Sequence, residues 1–199
     1  MEVCRVGGSW LDEELVRLGW EPADNPDARH LVTVPPPLEL VPLAELEPEA
    51  WLRTFEAWAE ESFFGAQRWL AKALERGSGS WVAVTSILST QAFPGGGAAG
   101  AGALALQTLV RVAAIEGGPR GVRANAVAPG WLDGRLPGPL DSQLAVSDTP
   151  LGRLASPADV ASGVAWLLSD ESNHVSGEVL RVDGGYTITR GSRPEPTKE

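Results

Sequence analysis

The chain is short of most residues that build metal centres and covalent frameworks. Of 199 residues one is cysteine, two are histidine, one is tyrosine and one is methionine. A lone Cys4 excludes an internal disulfide framework and any multi-cysteine metal site. His30 and His174 leave little room for a histidine-based cluster, and both read as edge or loop residues. Positive charge is also scarce: 16 Lys and Arg against 26 Asp and Glu give a net charge of −10. A surface of that sign is not one for phosphate backbones, which calls for clustered Lys and Arg, so no nucleic-acid partner is expected. No apolar run reads as a bilayer span, and Met1 opens no charged-then-apolar leader. The expectation is a cytoplasmic protein without a membrane partner.

What is present is ordinary globular composition, 43% apolar and 21% charged, in a length suited to one domain. Short apolar runs at 1–7, 30–34, 81–86, 122–128 and 178–182 read as strands, and residues 20–29 as a polar, turn-rich link. Between the strands lie helical patterns. Ser9 is placed to cap a first helix carrying Leu11, Leu15 and Leu18. Pro48 opens a long helix, 48–75, whose stripe includes Trp51, Phe55, Trp58, Phe63 and Trp69. A second long helix, 98–116, begins with Ala and Gly and continues through Leu106 and Val110. Ser156-Pro157-Ala158-Asp159 is a capping pattern. Strands alternating with amphipathic helices imply parallel pairing and an α/β sandwich. Residues 1–189 form the expected single domain, and 190–199 read as a disordered tail.

Several blocks carry more than a fold class. HLVTVPPP at 30–37, WVAVTS at 81–86, PRGVRANAVAPG at 119–130, LGRLASPADVASGVAWLLSDESNHVSG at 151–177 and VSGEVLRVDGGYT at 175–187 follow, in order, the blocks of one family. From about residue 29 to 188 the chain resembles the short-chain dehydrogenase/reductase family, especially its 3-oxoacyl reductase-like members. The resemblance implies a truncated Rossmann-like parallel sheet of about five strands with helices on both faces.

It also implies where the family's functional groups fall. Anchored on Arg111, Glu116 and Pro119, the Y-x-x-x-K pattern falls on Ala99 to Ala103, so the general-acid tyrosine is Ala99 and its lysine Ala103. The helix asparagine falls on Trp58, and the N-N-A-G segment on Thr33-Val34-Pro35-Pro36. The carbonyl-orienting serine has a match in Ser86, here vestigial, and the hydroxyl that holds the nicotinamide amide falls on Gly134. The glycine-rich phosphate turn is reduced to Gly7-Gly8-Ser9-Trp10. The single tyrosine, Tyr186, belongs to the C-terminal turn, away from the expected site.

On this reading there is no catalytic residue, no bound cofactor and no metal. What remains are the elements that, in the family, build oligomer interfaces: the two long helices, with Trp51, Phe55, Trp58, Phe63, Trp69, Ala99, Ala103, Leu106 and Val110, and the last strand and turn, with Val179 and Tyr186. The leading expectation is therefore a catalytically silent subunit that pairs with an active paralogue of the family in a hetero-oligomer, with a homodimer as a variant. Two alternatives stand beside it. One is a cofactor-independent enzyme or small-ligand binder using a cleft bounded by Trp58, Trp81, Trp131 and Ser86. The other is an NAD(P)-dependent oxidoreductase in its own right.

Overall fold

The structure is a computed structural model, and it describes residues 1–138 and 140–189. Six parallel strands form one sheet in the order β2-β1-β3-β4-β5-β6. They are β1 (Glu2–Gly7), β2 (Glu21–Ala23), β3 (His30–Val34), β4 (Gly79–Val84), β5 (Val122–Pro129) and β6 (Val179–Val182). The helices are α1 (Asp12–Arg17), α2 (Pro48–Phe55), α3 (Glu61–Arg76), α4 (Gly97–Gly117), α5 (Ser142–Ser147) and α6 (Pro157–Leu168).

The central strands read as nearly unbroken apolar runs because both faces are covered. One face (Val32, Val34, Val82, Val84, Val127) packs on Leu11 and Leu15 of α1 and on Val160, Val164 and Leu167 of α6. The other (Leu31, Trp81, Ala83, Ala124, Ala126) packs on Ala66, Trp69 and Ala73 of α3 and on Leu106, Val110 and Ala113 of α4. The Trp69 indole N–H donates to the Ala28 carbonyl at 2.9 Å, which ties α3 to the start of β3. The stretch 97–120 is apolar and long enough to span a bilayer by composition, with a mean hydropathy of 1.5, yet half of it is buried inside the protein; it serves as the central helix of this layer.

The structure corrects four expectations. Residues 21–23 of the polar link pair in parallel with Glu2–Cys4, so the sheet has six strands and β1 is not its edge. Three residues containing Pro22 are too short for a periodic signal. The long helix is not uniform: residues 56–60 form a π-turn between α2 and α3. The wider turn changes the helical phase, and from it Trp58 and Ala59 turn inward. Ser9 does not cap α1 through its side chain; its carbonyl accepts from Asp12 N at 3.0 Å. The run expected at 81–86 pairs as Gly79–Val84, and Thr85 and Ser86 lie just past the strand. The capping box at Ser156 and Asp159 forms in full. The tail expected at 190–199 lies outside the described residues.

Candidate functional site

A cleft of about 360 Å³ opens at the carboxyl ends of β3, β4 and β5. Parallel α/β sheets place ligands at this end, where the strands stop and the crossover loops diverge. Its walls are Trp10, Pro35, Trp58, Trp131 and Leu136, and its floor includes Thr85 and Ser86.

The floor is held by a short polar chain. Thr85 N donates to Val127 O at 2.7 Å, extending the β4–β5 ladder by one bond. Gln107 of α4, fully buried, donates through Nε2 to Thr85 Oγ1 at 3.1 Å and to Ser89 Oγ at 2.7 Å. Thr85 Oγ1 in turn donates to Val127 O at 3.2 Å. Ser86 Oγ accepts from Leu88 N at 3.1 Å, which leaves its own proton directed to no acceptor among the described residues. Ser86 is thus the hydroxyl on the floor that is free to donate to a ligand oxygen.

Above the floor the surroundings are apolar and aromatic. Ala99 and Ala103 lie in a buried cluster with Trp58, Leu88, Trp131, Ala145 and Leu154. Trp131 stands edge-on to Phe93 at 4.8 Å and to Tyr186 at 5.9 Å between ring centroids. Its indole N–H is buried without a partner among the described residues. Arg135 sits over the Trp10 ring at 5.2 Å and is the cation on the cleft wall. Gly134 is an exposed turn residue on the same wall.

Asp183 lies against Gly130, a residue of the cleft lining. Burial alone would raise its pKa, but it accepts from the Thr187 hydroxyl and from the Thr187 and Gly185 amides, and these hold it below the ordinary carboxylate value. The turn after β6 is therefore folded onto its own chain. Tyr186, expected far from the site, packs against its aromatic wall. Asn125 stitches the chain before β6 to β5: it donates to Val175 O and accepts from Glu178 N.

The residues singled out as an interface divide by burial. Trp58, Trp69, Ala99, Ala103, Leu106 and Val110 are buried within the chain's own core and offer no surface to a partner; this corrects their reading as interface residues. Trp51 is exposed, and Phe55, Phe63, Val179 and Tyr186 are half-buried. Sequence reasoning missed Gln107 and Arg135, and it placed Trp10 only in the reduced phosphate turn and not on the cleft wall. Gln107 carried a signal: it is a polar residue on the apolar stripe of α4 that runs through Ala103, Leu106 and Val110. Arg135 and Trp10 sit in loops with no periodicity to mark them.

The turn after β1 is the place where a dinucleotide's pyrophosphate would lie at a helix N-terminus. Here the residues do not suit it. The Gly8 amide is spent on Val34 O at 2.8 Å, and the Asp12 amide on Ser9 O. The first turn of α1 carries Asp12, Glu13 and Glu14, three carboxylates where a dianion would be received. The cation nearby, Arg5, is paired with Asp12 at 3.1 Å and donates to the Gly7 carbonyl. Burial raises the pKa of Asp12 while Arg5 opposes it. Among the described residues no group of three or more His, Cys, Asp or Glu side chains could hold a metal ion. Cys4 is buried, and burial pushes its thiol pKa up.

The sequence profile described as Enoyl-(Acyl carrier protein) reductase matches residues 30–187. The chain belongs to the short-chain dehydrogenase/reductase family. It is 37% identical over 150 residues to a cis-4-hydroxycyclohexanecarboxylate dehydrogenase from Sinomonas cyclohexanicum, covering 73% of this chain and 60% of that protein. To a cyclohexanol dehydrogenase from Acinetobacter sp. it is 34% identical, over 72% of this chain and 57% of that one. The chain thus spans about 60% of the length of the curated family members it matches. Among solved structures, the aldohexose dehydrogenase of Thermoplasma acidophilum aligns with a TM-score of 0.81 at 20% identity, covering 100% of this chain and 97% of that one, a likeness of fold. The family is one of oxidoreductases. Members that it matches are dehydrogenases and reductases, which overturns the reading of the chain as a silent subunit for an active paralogue.

Proposed function

We propose that this chain is an oxidoreductase of the family that works on a small alicyclic alcohol or the matching ketone, held in the cleft at the ends of β3, β4 and β5. The observation that carries the reading is the cleft itself: about 360 Å³, walled by indole and proline rings, with the free Ser86 hydroxyl on its floor. That volume is at the low end of the roughly 300–1,000 Å³ of small-molecule sites, which suits one ring better than a long acyl chain. The names of three relatives agree with this: a cis-4-hydroxycyclohexanecarboxylate dehydrogenase, a cyclopentanol dehydrogenase and a cyclohexanol dehydrogenase. On this reading the chain's own residues seat the ring on Trp58, Trp131 and Pro35, and Ser86 orients its oxygen by a hydrogen bond.

A second reading, a small-ligand binder that works without a bound dinucleotide, is favoured by one observation, the carboxylates at the start of α1. One experiment separates the two. The purified chain is titrated with cyclohexanol and cyclohexanone while tryptophan emission is followed, and absorbance at 340 nm is recorded for cyclohexanol with oxidised NAD or NADP in solution. Saturable quenching with growth at 340 nm supports the oxidoreductase, and saturable quenching alone supports the binder. No saturable response to either compound overturns both.

A further inference from the structure

At the opposite, amino-terminal end of the sheet lies a second cavity, of about 420 Å³. It is built by register. His30 of β3 stands beside Ser80 of β4, and Ser80 beside Arg123 of β5. Because paired residues of adjacent strands face the same way, three polar side chains form a row across the edge of a sheet whose next row, Val32, Val82 and Asn125, is mostly apolar. Arg29 precedes the row, and Asp170 and His174 approach it from the segment after α6.

The charges in this cavity are poorly matched. Ser80 is satisfied, donating to Leu167 O at 2.9 Å. Arg123 is half-buried and donates to the carbonyls of Leu167, Val175 and Ser169. Among the described residues no carboxylate pairs with it. Arg29 reaches Asp170 only at 3.5 Å, and both side chains are largely exposed; so exposed a contact is weak, and Arg29 is free to turn to another anion. His30 is 94% buried by accessible surface (6% exposed), and its Nδ1 has no partner among the described residues. Two guanidiniums therefore face one loosely held carboxylate, in a protein whose net charge is −10. A positive hollow in an acidic protein concentrates small anions from solution.

We infer that this cavity is a binding site for a small oxyanion, a carboxylate or phosphate group, received by Arg29 and Arg123 beside His30. Arg29 exchanges Asp170 for the ligand and offers it a planar fork that matches the oxygens of either group, while Arg123, whose terminal nitrogens are engaged by the Leu167, Val175 and Ser169 carbonyls, contributes its fixed positive charge. The site lies at the other end of the strands from the cleft, so it is independent of the reading of that cleft. The surroundings agree: burial first, and then the charges of Arg29 and Arg123, push the pKa of His30 down to about 4, and a bound anion offsets those charges.

The test uses the purified full chain, with inorganic phosphate and acetate as probes and sodium chloride at matched ionic strength as the reference. Thermal unfolding reports binding, and the ring-proton NMR signal of His30 reports the site. A saturable rise in melting temperature with phosphate, acetate or both, above that given by chloride, is the expected result, together with an upward move of the His30 titration midpoint. The probe that acts identifies which oxyanion is taken. Arg29→Gln alters an exposed residue and is expected to weaken binding about tenfold or more; Asp170→Asn removes the competing carboxylate and is expected to tighten it. Responses to both probes equal to that of chloride, or identical affinities for the wild type, Arg29→Gln and Asp170→Asn, overturn the inference.

Discussion

Gly102 of α4 lies against Trp58: a methyl group on Gly102 would sit 2.7 Å from the Trp58 Cβ. The absence of a side chain at one position sets the depth to which the indole enters the wall of the cleft. Gly102→Ala raises helix propensity by about 1 kcal/mol, but the overlap with Trp58 costs about 1–3 kcal/mol. The expected outcome is a net loss of stability in chemical denaturation, with a changed tryptophan emission. Gly118→Ala, where an added methyl meets nothing within 4 Å, serves as the control and leaves the emission unchanged.

The histidine at the amino edge gives a pH dependence whose sign is fixed. Folded His30 titrates at about 4, against an ordinary value of 6.5. Between these values the unfolded chain takes up a proton that the folded chain does not. Its contribution to stability is therefore complete above about pH 6.5 and declines as pH falls towards 4, by an order of 1–3 kcal/mol. His30→Phe, which keeps a ring at the edge-on contact with Trp20, is expected to flatten the urea midpoint across this window. An unchanged slope would show that other groups govern it.

The capping box of α6 makes a second, separable prediction. Ser156 Oγ accepts from Asp159 N, and Asp159 Oδ2 accepts from Ser156 N at 2.7 Å while Arg153 bridges both carboxylate oxygens. The hydrogen bond from Arg153 is the largest of the influences holding the Asp159 carboxyl far below the ordinary range. Ser156→Ala is expected to destabilise by about 1 kcal/mol, read as a lower midpoint in urea at neutral pH. Because the Asp159 pKa is depressed, its contribution is present above the ordinary carboxylate pKa and fades only in strong acid.

Removing the amide of Gln107 tests the floor of the cleft. Gln107→Leu keeps most of the volume but deprives the Thr85 and Ser89 hydroxyls of their donor. A cost of about 1–3 kcal/mol is expected, with weaker quenching by cyclohexanone because the segment carrying Ser86 loosens. Wild-type ketone affinity in this variant would show that Ser86 is positioned by its turn alone.

The local rules of the chain specified a good deal. The unbroken apolar runs of β3, β4 and β5, the proline stop at Pro35-Pro36-Pro37, and the box at Ser156 and Asp159 depend on backbone hydrogen bonding and side-chain period, which act over a few residues. So does the permission for close approach along the small-residue start of α4. What filled that space was not local. The same Gly and Ala pattern suits a helix from another subunit or a tryptophan from the chain's own π-turn, and it is Trp58 that occupies it. The strand at Glu21–Ala23 was hidden for a related reason: three residues carry no period, and only the exposed hydrogen-bonding edge of β1 pairs them. The alignment of His30, Ser80 and Arg123 is likewise a product of strand register, which joins residues 50 and 43 positions apart in the sequence. Contacts over such distances are selected by the packing of the whole sheet and both helix layers, where the energy of burial is gained collectively rather than residue by residue.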